Sequence, residues 1–380
     1  MIARRAALLL PLLALGGCAT LDDLWSPAVP LDERPVEEPL DPNTFLIEAP
    51  GQGVIGEPQI VFATDSDTLS DLARAYGLGY DEIVAANPGV DPWLPGEGTP
   101  ILLPTQYVLP DAERTGVILN IATKRLFFFP PAVDGEPRQV KTYPIGIGRV
   151  GWETPLGEAT VVDKARNPNW FVPASVRREH AAEGNPLPAV VPPGPDNPLG
   201  HRVLKLDMPG YLIHGTNSPY GVGMRVSHGC VRLYPENIER LYELVDIGES
   251  VAIINEPFQF GYRGDALYFE AHAPLEDDEL GPDARLGALL DTQVDANGAP
   301  LNDHLRRYVR EVAGDPRGIP VGVFELDPDE FMARARVVHN TVETDPDAPT
   351  LTEVREMMEE IEAEIAAEKE GLATDPPEGG

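Results

Sequence analysis

One stretch of the sequence, residues 211–233 (YLIHGTNSPYGVGMRVSHGCVRL), concentrates side chains that could do covalent chemistry. It contains two of the seven histidines, His214 and His228, and it contains Cys230, the one cysteine after position 18. Short apolar runs precede His214 and the His228-Gly229-Cys230 triplet, which predicts that both groups lie at the ends of neighbouring strands. A thiol beside an imidazole provides a nucleophile and a general base, so the stretch indicates an acyl-transfer site.

Zinc binding is an alternative use of the same side chains. His214, His228 and Cys230 could supply three ligands. The chain has no further cysteine to complete a site, however, and His-x-Cys is the only close ligand spacing in the stretch. The sequence therefore favours catalysis, and we assign no metal and no other cofactor.

The composition limits the class of partner. Lys and Arg number 29 against 62 Asp and Glu, a formal net charge of −33. Such a charge repels phosphate backbones, so the sequence argues against nucleic acid as a partner. A length of 380 residues predicts two to three domains, and 41 prolines with 36 glycines favour a mainly-β body over a helical bundle.

The N-terminus is typical of a targeting segment. Arg4 and Arg5 precede an apolar run, residues 6–17, that is too short to span a bilayer. The run ends in Leu-Gly-Gly-Cys at residues 15–18, which resembles the lipobox of bacterial lipoproteins. The resemblance implies a signal peptide at 1–17, acylation of Cys18, and a periplasmic protein anchored to a membrane of the cell envelope. Cys230 then has no disulfide partner within the chain, and a lone exported thiol is either buried and inert or reactive.

Two regions follow Cys18. Residues 18–57 are rich in proline and acidic side chains, which predicts an extended tether. Residues 58–105 predict the order strand, helix, helix, strand, with helices over 68–76 and from 81 to the Asn87-Pro88 stop. This region resembles a LysM domain, a module that binds N-acetylglucosamine-containing glycans, through its Asp67-Thr68-Leu69, Asn87-Pro88 and Pro95-Gly96 motifs. A small domain that only packs against its neighbour is the alternative.

Strands dominate residues 114–255. They are predicted at 117–121, 125–129, 139–147, 158–162, 202–206, 211–214, 224–227 and 251–254, with a helix at 235–245. Residues 164–200, rich in proline, are predicted to be a long loop acting as a lid or binding wall. Residues 256–380 are an acidic extension, predicted to contain helices at 302–312, 329–338 and 350–372. The fold class is therefore α+β, with a mainly-β catalytic domain, a small βααβ domain and a partly helical extension with a disordered tail.

A family resemblance covers residues 114–255. His214-Gly215-Thr216, followed by the segment from Ser227 to Leu233 (SHGCVRL), resembles the YkuD β-sandwich domain of L,D-transpeptidases. The Gly146-Ile147-Gly148 and Thr154-Pro155-Leu156-Gly157 motifs support the resemblance. These enzymes cross-link peptidoglycan or attach proteins to it, and their thiol is expected to be acylated by a carbapenem.

The resemblance implies a role for each residue of the stretch. Cys230 would be the nucleophile, His214 the base, and the Gly215 carbonyl would orient the second ring nitrogen of His214. Ser227, His228 and Gly229 would support the cysteine turn, whose N–H groups can bind an oxyanion. For His228 a purely structural role is equally open. Arg232, and less strongly Arg225, would suit a carboxylate of the anionic stem peptide; an ordinary salt bridge is the alternative for Arg232.

The predicted reaction starts from a stem tetrapeptide. Cys230 would attack the carbonyl of its third residue and expel the terminal D-alanine. The acceptor would be an amine, either of another stem peptide or of a lysine in an envelope lipoprotein. Two other functions remain open at this point. One is a hydrolase that uses water as the acceptor, and the other is a non-catalytic wall anchor that uses the lipid and the glycan-binding module.

Overall fold

The computed structural model describes residues 29–182, 184–323, 332 and 334–342. The described residues before Pro35 belong to one unit and those from Pro35 onward to another. In the first unit, Leu31–Glu33 forms a turn of 3-10 helix. The strands of the second unit are β1 Thr44–Ile47, β2 Val54–Gly56, β3 Gln59–Phe62, β4 Pro100–Leu103, β5 Gln106–Val108, β6 Gly116–Asn120, β7 Arg125–Phe129, β8 Arg138–Pro144, β9 Ile147–Gly148, β10 Gly157–Arg166, β11 Trp170–Phe171, β12 Val190–Val191, β13 Arg202–Leu206, β14 Leu212–His214, β15 Arg225–Ser227, β16 Val231–Arg232, β17 Ser250–Ile254, β18 Phe258–Arg263, β19 Ala266–Ala271, β20 Val321–Gly322 and β21 Arg336–Val337.

Six α-helices complete the described elements: α1 Leu69–Ala75, α2 Tyr80–Ala86, α3 Ala174–Ala182, α4 Pro235–Leu244, α5 Pro282–Thr292 and α6 Asp303–Gly314. Local sequence explains where several of them begin. Thr68 caps α1 through a reciprocal capping box with Asp71, and Asn302 accepts hydrogen bonds from the first backbone N–H groups of α6. Pro235 begins α4 at a position where the missing N–H costs nothing.

A mixed sheet of nine strands forms the body of the protein, in the order β1-β8-β7-β6-β17-β10-β13-β14-β16. The β6–β17 and β14–β16 pairs are parallel and the other pairs are antiparallel. The expectation of a mainly-β body with some helices is confirmed. β14 and β16, which carry the two halves of the Cys-His stretch, lie together at one end of the sheet.

Both faces of the central strands are covered, which explains their nearly continuous apolar sequence. Val117 and Leu119 of β6 share a cluster with α4, whose Ile238 and Leu241 are buried there. Ile118, between them, belongs to a second cluster with the buried residues of α1 and α2. The βααβ order predicted for residues 58–105 is therefore observed, but this unit shares a core with the sheet and does not have one of its own.

Two predicted irregular regions contain regular structure. The expected tether at 18–57 contains β1, which pairs with β8 at the far edge of the sheet and buries Phe45 and Ile47. The prolines around it obscured a strand of four residues. The expected loop at 164–200 contains α3 and the β11–β12 pair. Val176 is the only buried residue of α3, so the sequence lacks the apolar periodicity that predicts a helix.

The described part of the C-terminal extension has a core of its own. β18, β19 and β20 form a small antiparallel sheet, and α5 and α6 contribute Leu290 and Val309 to the same apolar cluster. Neither β18 nor α5 was predicted from the sequence. Its helix at 329–338 is wrong in the described residues 336–337, because β21 is a strand that pairs in parallel with β3.

Several predictions fall on residues that are not described. The signal peptide, Cys18, the helix at 350–372 and the tail lie outside the described residues. Within the described ranges, no helix combines the length and the apolar character needed to cross a membrane.

Candidate active site

The backbone brings the two halves of the stretch together. Ile213 of β14 pairs with Val231 of β16, so the residue before His214 lies opposite the residue after Cys230. A second, two-stranded sheet lies next to this pair, because β15 runs parallel to β9 and leads directly into His228. Main-chain hydrogen bonds in both directions between Gly146 and Arg232 connect the two sheets. The strand ends predicted from the sequence therefore meet at one place.

His214 is buried, with 4% of its surface exposed. Its Nδ1 lies 2.5 Å from the carbonyl oxygen of Gly215 and donates to it, which leaves Nε2 with a lone pair in the neutral ring. Burial, together with the nearby Arg232 guanidinium, lowers the pKa of His214 to about 3, and the Gly215 hydrogen bond only partly opposes this effect. The imidazole is thus neutral at physiological pH and able to accept a proton.

Cys230 is a free, partly exposed thiol. Its Sγ lies 3.5 Å from the carbonyl oxygen of Gly210. Burial raises the pKa of the thiol, and a backbone hydrogen bond from Leu212 and the charge of Arg232 only partly counteract this effect. The resting pair is therefore a thiol and a neutral imidazole, so attack on a carbonyl requires proton transfer to the base.

The conformation of Gly229 and two hydrogen bonds determine the shape of the cysteine turn. Gly229 has φ of 95°, a conformation that glycine adopts without strain. Thr154 Oγ1 donates to the Gly229 carbonyl oxygen at 3.0 Å, and Ser227 Oγ donates to the Cys230 carbonyl oxygen at 2.5 Å. Because a trans peptide directs its N–H opposite to its C=O, the contact with Thr154 points the Cys230 N–H away from Thr154. This N–H can serve as a donor to a developing oxyanion.

Arg232 carries a charge that no carboxylate neutralises within the described residues. Its Nε is buried without a hydrogen-bond partner, and burial lowers the pKa of the guanidinium. An unpaired cation in a partly buried site is costly unless a ligand completes it. The salt-bridge alternative for Arg232 is thus not what the described structure shows, and a substrate carboxylate remains the suitable partner.

Arg225 differs from the sequence-based prediction. It forms a bidentate ion pair with Asp277, with Nη1–Oδ1 at 2.9 Å and Nη2–Oδ2 at 2.6 Å. Its Nε donates to the Gly148 carbonyl oxygen at 3.0 Å. The protein itself therefore occupies this donor fork, which argues against a role for Arg225 in substrate binding. The partner could not be found from sequence, because Asp277 lies in the extension, 52 residues away.

His228 connects the cysteine turn to α3. Its Nε2 lies 3.0 Å from Glu179 Oε2, and Arg149 binds the other oxygen of the same carboxylate. The Trp152 ring contacts the imidazole edge to face, with ring centroids 5.0 Å apart. Burial and Arg149 lower the pKa of His228, while Glu179 opposes them. Glu179 was not predicted, because nothing in the proline-rich sequence of 164–200 marks a helix facing this site. Arg149 was not predicted either, since its role depends on the carboxylate of Glu179.

The described residues contain no group of three or more His, Cys, Asp or Glu side chains placed to hold a metal ion. The chemistry that the geometry supports is a cysteine nucleophile, a neutral imidazole base, an oriented backbone donor and an unpaired guanidinium. These are the components of acyl transfer to or from a substrate that bears a carboxylate.

Comparison with known proteins agrees with this chemistry. Residues 114–253 match the YkuD model, described as an L,D-transpeptidase catalytic domain. The chain is 38% identical over 296 residues to the probable L,D-transpeptidase YcfS of Escherichia coli (strain K12), covering 75% of this chain and 89% of YcfS. The chain belongs to the L,D-transpeptidase family. The match to YcfS is more than twice as long as the range 114–253, so the similarity extends beyond the catalytic segment of this L,D-transpeptidase.

Other L,D-transpeptidases are also similar to this chain. The probable L,D-transpeptidase ErfK/SrfK of Salmonella typhimurium is 40% identical over 236 residues, covering 61% of this chain and 75% of that protein. Among solved structures, an L,D-transpeptidase from Mycobacterium smegmatis is 21% identical and covers 36% of this chain and 57% of that chain. Its TM-score of 0.27 is too low to support a structural argument.

Proposed function

We propose that this L,D-transpeptidase acts in the bacterial envelope as a lipid-anchored enzyme that transfers a peptidoglycan stem peptide to an amine. The observation that carries the proposal is a neutral, oriented His214 and Cys230 on two adjacent parallel strands, with Arg232, whose Nε is unpaired, opposite His214 in the strand register. A nucleophile and a base explain the acyl transfer, and the guanidinium explains why an anionic peptide is the acyl donor.

Acylation begins when Cys230 Sγ attacks the carbonyl carbon of the third stem residue. The thiol proton moves to His214 Nε2, and the Cys230 N–H donates to the oxyanion. Collapse of the tetrahedral intermediate breaks the carbon–nitrogen bond to the terminal D-alanine, whose amine takes the proton from His214. The products are a thioester on Cys230 and free D-alanine. Proximity and the oriented base supply the rate enhancement of this step.

Deacylation repeats these roles with an amine in place of the leaving group. The acceptor amine attacks the thioester, His214 removes its proton and then returns it to Cys230 Sγ, and the thiol is regenerated. Thioesters react more readily with amines than with water, which favours transfer over hydrolysis. The catalytic segment also avoids repelling an anionic donor: residues 114–253 contain 15 Lys and Arg against 14 Asp and Glu, whereas the rest of the chain has 14 against 48.

The most informative experiment for this proposal is mass spectrometry of muropeptides after incubation of the purified protein with tetrapeptide-bearing peptidoglycan. We expect free D-alanine together with a new amide to an amine, either of another stem peptide or of a lysine in an added envelope lipoprotein. The Cys230→Ala variant should form no product, and a carbapenem should add to the wild-type protein only. D-alanine release with a free carboxyl group as the sole product would instead identify a hydrolase.

Anchoring and glycan binding are further parts of the proposal. The lipobox-like sequence at residues 15–18 supports acylation of Cys18, and the βααβ unit supports glycan contact through its LysM-like order of elements. We expect Cys18→Ala to move the protein from the membrane fraction to the soluble periplasmic fraction, with unchanged carbapenem acylation. A membrane fraction that is the same for the variant and the wild type would refute the lipid anchor.

A further inference from the structure

The C-terminal extension contacts β15, the strand that leads into the catalytic turn, through the carboxylate of Asp277. It lies in the turn between β19 and α5, outside the segment that matches the catalytic-domain model. The turn is fixed at three points. Leu275 packs against the core of the catalytic sheet, Asp277 pairs with Arg225, and Asp278 pairs with Arg285 of α5. The carboxylate of Asp277 is thus held in place by the extension and directed at the catalytic region.

A continuous series of hydrogen bonds runs from Asp277 to the residue before the nucleophile. Arg225 binds Asp277 with its two terminal nitrogens and donates from Nε to the Gly148 carbonyl oxygen. The Gly148 N–H donates to Thr154 Oγ1 at 3.0 Å, and Thr154 Oγ1 donates to the Gly229 carbonyl oxygen at 3.0 Å. Each contact has the length of a normal hydrogen bond.

Gly148 is the point at which this series could fail. Its backbone N–H and C=O are both used in the series, so the position of this residue determines where Thr154 and Arg225 lie. A Cβ at this position would lie 2.0 Å from the Trp152 carbonyl oxygen and 2.9 Å from Gly229 Cα, which shows how closely the cysteine turn is packed against it. The neighbouring Arg149 N–H also donates to the Ser227 carbonyl oxygen at 2.9 Å.

We propose that Asp277 is a positioning residue for acylation: through Arg225, Gly148 and Thr154 it fixes the Gly229–Cys230 peptide, and hence the oxyanion donor. The charge of Arg225 requires this partner. Its side chain is only 11% exposed, so without Asp277 the guanidinium would turn towards Glu276 or solvent and release the Gly148 carbonyl. The proposal rests on the acyl-transfer function, and it extends the functional unit of the enzyme beyond the catalytic segment into the C-terminal extension.

The test compares the rate of acylation by a carbapenem in the full-length protein and in its variants, followed by intact mass. We expect Asp277→Asn to lower the maximal acylation rate roughly tenfold, the size of effect that follows loss of a charge-assisted hydrogen bond. The carbapenem concentration that gives half-maximal rate should be unchanged, because Asp277 does not touch the ligand. Asp277→Glu, which keeps the charge, should recover most of the rate.

Two controls separate positioning from general stability. Asp163 forms a 2.7 Å ion pair with Lys205 at the surface and has no link to the cysteine turn, so Asp163→Asn should leave the acylation rate unchanged. Thr154→Val breaks the series at its other end, and Asp277→Asn combined with Thr154→Val should be no slower than Thr154→Val alone.

Three results would overturn the proposal. The first is an Asp277→Asn variant that is acylated at the wild-type rate. The second is a double variant whose loss of rate is the product of the losses in the two single variants. The third is a loss of rate in Asp277→Asn that is fully explained by its unfolded fraction, measured by thermal melting. If the wild-type protein itself is not acylated, the acyl-transfer function fails instead, so the two failures can be told apart.

Discussion

Arg225 and Arg232 flank the nucleophile in the sequence and have different roles in the site. Arg232 lies on the reacting side with an unpaired buried Nε and no carboxylate partner among the described residues. Arg225 lies on the supporting side, and its donor fork is occupied by Asp277 and the Gly148 carbonyl. The same residue type, seven positions apart, thus serves a ligand in one place and the scaffold in the other.

The two histidines follow the same division. His214 has one nitrogen bonded to its own strand end and the other left as a proton acceptor, whereas His228 is bound by Glu179 and packed by Trp152. Groups on the reacting side keep a hydrogen-bonding atom or a charge without a partner in the protein, which a substrate can pair with, at a cost to stability. Groups on the supporting side are paired and hold the first set in position. If this division is correct, substitutions on the reacting side should lower activity more than matched substitutions on the supporting side.

Replacement of the base should give the largest effect. We expect His214→Ala to lower the acylation rate by roughly 10²–10⁴, the usual contribution of a general base. His228→Gln, the matched change on the supporting side, keeps a hydrogen-bonding group for Glu179 and should cost less than tenfold. The measurement is the rate of carbapenem acylation by stopped-flow and intact mass. A His228 variant as slow as the His214 variant would contradict the assignment of the base.

Removal of the unpaired cation should have an intermediate effect. We expect Arg232→Gln to weaken use of the anionic stem peptide by roughly 10- to 100-fold, because a charged hydrogen bond to the substrate carboxylate is lost. The loss should fall mainly on KM and should be smaller for a donor whose carboxylate is amidated. Arg166→Gln, which removes an arginine paired with Glu243 at the surface, is the control. Equal losses for the free and amidated donors would exclude carboxylate recognition by Arg232.

The division between the two sides also marks the limit of what the sequence could predict. Motif spacing placed His214 and Cys230 at adjacent strand ends, because apolar runs and glycines determine local backbone course. It could not show that Arg225 is already paired, since the partner of Arg225 comes from a distant turn. Asp277 has no local signal, because surrounding acidic residues are indistinguishable from a solvated surface.

The predicted helices and strands show the same limit of sequence-based prediction. The strand at 125–129 has the predicted bounds, because it contains a run of three phenylalanines. The predicted strand at 202–206 also matches the structure, and its apolar Val203, Leu204 and Leu206 are the buried residues. Thr68 is the cap of α1 because of its reciprocal hydrogen bonds with Asp71. β1, α3 and β21 were missed because tertiary contacts, more than their own periodicity, form them.

The smallest expected effect is on stability and follows from the burial of His214. Its pKa of about 3 in the folded protein lies below the unfolded value near 6.5, so the unfolded state binds the proton first as the pH falls. Stability should therefore decline below pH 6.5 and continue to decline towards pH 3, with about 1 kcal/mol lost between pH 7 and pH 5.5 from this group. Chemical denaturation of the wild type and of His214→Asn at both pH values measures it, with the exposed His304→Asn as control. The wild type and His304→Asn should lose this increment and His214→Asn should not; identical pH dependence in all three would mean that folding does not lower the pKa of His214, and that burial does not keep its imidazole neutral.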